Sequence, residues 1–92
     1  MNKFLVENAR VVDVFKRVLS QYDATLVDKV NIGIWPIMGR VMVTAVTIQQ
    51  FPVLERIPFV EQIQDILKKE YDMDTEPYFN EEYNYFGITR KY

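Results

Sequence analysis

Cysteine and histidine are both absent from this chain. Without cysteine there is no disulfide framework, thiolate zinc site or sulfur nucleophile. Without histidine the commonest metal ligand and the commonest general base are missing too. No run approaches the roughly 18 consecutive apolar residues that a membrane span needs. Met1 to Leu5 does not open a long apolar stretch ending in a small-residue cleavage site, so a cytoplasmic protein is expected. These absences remove much of enzymology and leave a soluble binding or structural protein as the expectation.

What is present is enough for one core. At 92 residues, with 49% apolar residues, six Phe, six Tyr and one Trp, residues 1–92 read as a single domain. The charged fraction of 26% is that of an ordinary folded surface.

Periodicity gives the elements. Phe4, Val11, Phe15, Val18 and Tyr22 fall on one helical stripe, with Asn2 as a candidate cap and Asp13 and Arg17 as an i,i+4 pair. From Thr25 to Trp35 the pattern alternates, with Val30, Ile32 and Ile34 on one side, and Val41 to Ile48 is rich in Val and Thr. Pro36, Gly39 and Arg40 lie between these runs and predict a hairpin, with Pro36 ending its strand or lying on an edge. Phe51 to Pro58 reads as a turn-rich approach to a helix, with Pro58 in its first turn. Phe59, Val60, Ile63, Ile66, Leu67 and Tyr71 then carry the clearest amphipathic helix. Glu76-Pro77 breaks the pattern, and Tyr83 to Thr89 supplies a third strand. The expected fold is α+β, in the order α-β-β-α-β, with two helices on a three-stranded antiparallel sheet.

Charge is distributed unevenly. The net charge is only −2, yet residues 70–89 hold six acids and no base: Glu70, Asp72, Asp74, Glu76, Glu81 and Glu82. They alternate with aromatics that include Tyr78, Tyr83 and Tyr85, and Arg90 and Lys91 follow as compensating charges. Clustered like charge opposes folding. Either the acids merely solvate one side of a strand, or they form a partner-binding face stiffened by the tyrosines. In extended backbone Asp72, Asp74 and Glu76 would face one way at roughly 6 to 7 Å intervals. That spacing is comparable with a row of DNA phosphates, and a homodimer would double the row.

The stretch Asp72-Met73-Asp74-Thr75-Glu76-Pro77-Tyr78-Phe79-Asn80-Glu81-Glu82-Tyr83-Asn84-Tyr85-Phe86, in a small chain without Cys or His, resembles the small early proteins of T-even bacteriophages. Among these it looks most like the anti-restriction DNA mimics of the Arn type. The resemblance implies an inhibitor, acting in the host cytoplasm, that occupies the DNA site of a basic host restriction or DNA-binding protein.

Other chemistry fits less well. Asp72, Asp74 and Glu76 match the first, third and fifth positions of a calcium loop, but Pro77 stands where Gly is required and Tyr83 where Glu is required. An EF-hand is therefore rejected; a looser carboxylate site for Mg or Ca is the lesser alternative to simple solvation of these acids, and no metal or cofactor is expected. Ser20 has no base candidate beside it in sequence, and so short a chain has little room for a two-carboxylate cleft, so catalysis is not expected. Arg10, Lys16 and Arg17 with Lys3 make too weak a basic footprint for direct nucleic-acid binding. Trp35 is either a core plug or a partner anchor, and with Ile37 and Met38 it marks the loop best suited to a dimer or partner contact. The competing expectation is a structural or assembly subunit that uses a sheet edge or the Trp35 loop.

Overall fold

The structure, a computed structural model, describes residues 3–92; the Asn2 cap lies outside the described residues. The first stripe folds as α1, Lys3–Tyr22, and buries Val11, Val14, Phe15, Val18 and Leu19 completely. At its end Asp23 sets an Asx turn, accepting from the Thr25 amide at 2.9 Å and the Thr25 hydroxyl at 2.7 Å. That turn launches a four-residue helix, α2, Leu26–Lys29. The alternation expected from Thr25 onward therefore becomes strand only at β1, Gly33–Ile37, while Val30 and Ile32 pack against the core from irregular backbone.

Strand β2 runs over Val41–Val46 and pairs antiparallel with β1. Trp35 and Pro36 lie within β1, and the turn between the strands is Met38 to Arg40. Gly39 at φ 80° and Arg40 at φ 60° both take left-handed backbone there. Helix α3, Val53–Tyr71, begins earlier than the Pro58 signal suggests, and Pro58 lies inside it. Pro58 and Leu54 are both exposed, so water can satisfy the Leu54 carbonyl that the missing Pro58 amide leaves free.

The expected three-stranded sheet is in fact four-stranded. Strand β3, Glu76–Asn80, turns through Glu81 to Asn84 into β4, Tyr85–Lys91, and the sheet order is β1-β2-β4-β3, antiparallel throughout. Pro77 reads as a breaker because it cannot donate to a ladder, but β3 is an edge strand, where its nitrogen can face away from the sheet. The element order is α-α-β-β-α-β-β.

Strand alternation gives the sheet two faces. On one, Val46, Phe86 and Ile88 join the α1 and α3 side chains in the core, where Phe51, Phe59 and Phe86 meet ring to ring at 5.2 to 5.5 Å. Arg90 is 3% exposed on that same face, its Nη1 donating to Glu7 Oε2 at 3.0 Å and its Nη2 to Asn8 Oδ1. Burial lowers the Arg90 pKa, and the Glu7 charge opposes that shift. Arg90 thus fastens α1 to the sheet and offers no surface charge to offset the acids. No helix among the described residues covers the other face. Among the described residues no helix is long and apolar enough to cross a membrane.

Candidate functional site

The uncovered face is built from cross-strand rows. Gly33, Ala45, Gly87 and Tyr78 stand in one row across the four strands, and Trp35, Val43, Thr89 and Glu76 stand in the next. Trp35 and Tyr78 start on opposite edges, three strand spacings or roughly 14 Å apart. Their rings nonetheless meet at 6.0 Å between centroids, nearly perpendicular at 81°. Tyr85 joins them at 5.2 Å from Trp35.

Small residues make this possible. A Cβ on Gly33 would come within 2.8 Å of Trp35 Cζ3, and Ala45 and Gly87 present no side chain large enough to hold the rings apart. The indole folds down over that row, and Val43 and Ala45 beneath are fully buried without any third layer. Trp35, Tyr78 and Tyr85 remain half-buried, each with part of its surface open to solvent. Trp35 is therefore neither a plug of the helix-facing core nor a loop residue.

The acids divide into two groups. Glu70 accepts two hydrogen bonds from Arg17, at 2.8 and 2.9 Å, in a bridge between α3 and α1. That contact lowers the Glu70 pKa and raises that of Arg17, which also holds Asp13 at 3.3 Å as the helical spacing predicts. Lys68 pairs with Asp72 at 3.0 Å and Asp74 at 2.9 Å, and these contacts raise its pKa, with Asp74 as the larger cause. Asp72 has φ 52° and closes α3, its amide donating to the Lys68 carbonyl at 3.0 Å. An extended row of Asp72, Asp74 and Glu76 is therefore not formed, since only Glu76 is in a strand.

Glu76, Glu81 and Glu82 are exposed and form no ion pair among the described residues. Glu76 is in the Trp35 row, and Glu81 and Glu82 occupy the β3–β4 turn. Asn80 orders that turn by accepting from the Tyr83 amide at 3.2 Å and donating to the Tyr78 hydroxyl at 3.3 Å. Tyr83 stands 64% exposed at its tip. At the far end of the face Ile37 is 43% exposed, and Met38 projects from the β1–β2 turn at 94%.

A shallow cleft of about 590 Å³ opens where Met73 to Glu76 meet Thr89 to Lys91, with Glu7 of α1 on its wall and none of the three rings lining it. Its charges are mixed, and its one buried cation, Arg90, is already held by Glu7 and Asn8. Ser20 Oγ donates to the Arg17 carbonyl at 2.7 Å, an ordinary helix back-bond. Sequence reasoning assigned Trp35 to a separate contact; the joining of Trp35 with Tyr78 and Tyr85 had its signal in Gly33, Ala45 and Gly87, which becomes readable only with the strand register. Comparison with known protein families, curated proteins and solved structures finds no match.

Proposed function

We propose that the chain is a non-catalytic binding protein whose uncovered sheet face and acidic β3–β4 turn dock onto a basic partner surface, of the kind a host restriction or DNA-binding protein uses for DNA. One observation carries the reading. The half-exposed ring cluster of Trp35, Tyr78 and Tyr85 lies beside three carboxylates, Glu76, Glu81 and Glu82, that have no cation of their own among the described residues. Aromatic anchors supply most of the energy in many interfaces, while unpaired charge around them steers encounter and selects the sign of the partner. Glu70, Asp72 and Asp74 are engaged by Arg17 and Lys68, which offset part of their charge, so the acids wholly free for docking sit on β3 and its turn. The resemblance to anti-restriction DNA mimics adds the class of partner.

Met38, at 94% exposure, favours a second reading, an assembly subunit joined through the β1–β2 turn. One experiment separates the two. The immobilised protein is offered a heparin-purified fraction of bacterial DNA-binding proteins, with and without excess duplex DNA. Docking predicts retention that duplex DNA displaces and that replacing Glu76, Glu81 and Glu82 together by Gln removes. Retention indifferent to both changes would sink it. Assembly predicts that the Gln variant keeps its sedimentation coefficient and that Met38→Ser lowers it.

A further inference from the structure

The uncovered face narrows the chemistry of its occupant. A partner cannot readily extend the sheet, because each edge strand carries a proline, Pro36 in β1 and Pro77 in β3, and so lacks a donor. Recognition on this face must therefore run through side chains lying on the rings.

Three kinds of group suit an aromatic platform: a nucleic-acid base, an apolar side chain or a cation. Charge decides among them. The strand rows of this face and its two turns contribute Glu76, Glu81 and Glu82 against Lys91 and Arg40, and both cations lie at the β1–β2 end, away from Glu81 and Glu82. A phosphate backbone would be repelled there, and an apolar group would leave Glu76 without a counter-charge. A cation satisfies both rings and carboxylate.

Between the two protein cations, guanidinium fits better than ammonium. It is planar and weakly hydrated, lies flat on aromatic rings, and pairs with a carboxylate through two parallel hydrogen bonds. Glu76 and Tyr78 are two residues apart on the same side of β3, so their Cα atoms lie roughly 7 Å apart. A flat group on the rings can reach the carboxylate across that distance. We infer that the face receives an arginine side chain of the partner, the guanidinium resting on the Trp35, Tyr78 and Tyr85 cluster with Glu76 as its counter-charge. This rests on the docking reading above and gives it a site.

Trp35 is the only tryptophan, so its fluorescence reports this face alone. The test titrates the full chain at physiological salt with end-blocked nona-arginine, nona-lysine of equal charge, and a dodecamer of single-stranded thymidylate. Nona-arginine is expected to change Trp35 emission and to bind roughly two- to fivefold tighter than nona-lysine, the gain of a stacked cation at an exposed site. Glu76→Gln is expected to erase most of that preference while the thermal midpoint stays put, because Glu76 is exposed and unpaired among the described residues. Equal affinity for the two peptides with silent Trp35 overturns the arginine site and leaves docking by charge standing. Failure of both peptides to bind overturns both. Quenching by the oligonucleotide alone overturns both in favour of base stacking.

Discussion

Gly87 is the residue on which the uncovered face depends. A Cβ there would lie 2.1 Å from the Thr44 carbonyl oxygen and 2.6 Å from the Ala45 Cα, both in the backbone of β2. Backbone cannot rotate aside as a side chain can, so Gly87→Ala forces the two central strands apart. The expected cost is about 1 to 3 kcal/mol, the range for overpacking a tight interior. It is read as a lower urea midpoint with an unchanged slope, accompanied by altered Trp35 emission as the ring cluster reseats. An unaltered midpoint would mean that β2 and β4 separate freely. Gly33 acts on the same face in a milder way, since its clash is with the end of the Trp35 ring rather than with backbone.

Among the elements, α3 carries the clearest internal conflict. Its nineteen residues include Pro58, which removes one i→i−4 hydrogen bond to Leu54. Phe59, Val60, Ile63 and Leu67 nevertheless hold the helix through complete or nearly complete burial, so packing outweighs propensity. Pro58→Ala is expected to raise stability by roughly 1 to 3 kcal/mol, the restored bond and propensity being offset in part by a looser unfolded chain. The alanine methyl takes the place of the proline Cβ, so the exposed position has nothing new to accommodate. Calorimetry would show a higher thermal midpoint; a lower one would mean that the proline sets the entry of the chain into the core. Near the C-terminal end of the same helix Lys68 engages Asp72 and Asp74, and Glu70 is held by Arg17 of α1, so these three acids are turned toward cations away from the docking face.

For the whole molecule, a two-layer fold with one bare face must avoid joining its copies edge to edge. Pro36 opposite Met42 and Pro77 opposite Ile88 place a missing donor on each outer edge. Replacing both by Val restores those donors in strands that already have the right geometry. The double variant is expected to sediment as larger, concentration-dependent species than the parent chain at equal loading. Identical sedimentation would show that the exposed charges alone keep the edges apart. The bare face itself is protected from non-specific association because its rings pack on one another and its β3–β4 end is acidic.

Local pattern was sufficient wherever burial follows a short period. The stripe of Val11, Phe15 and Val18, the Val41 to Val46 run, the Phe59 to Leu67 face and the Asp13–Arg17 pair are all set by neighbours within one or two turns or a single strand, and all are legible in the chain. So is the concentration of acids and tyrosines after residue 70. Tertiary structure alone decided the rest. Glu76 to Asn80 becomes a strand only because β4 lies beside it. Glu70 is neutralised by an arginine 53 positions away, and Arg90 goes inside because Glu7 and Asn8, more than 80 positions away, can hold it. The ring cluster forms across two intervening strands over Ala45 and Gly87. Each of these depends on the strand register and on which side chains a fold brings together, and a one-dimensional pattern carries no measure of either.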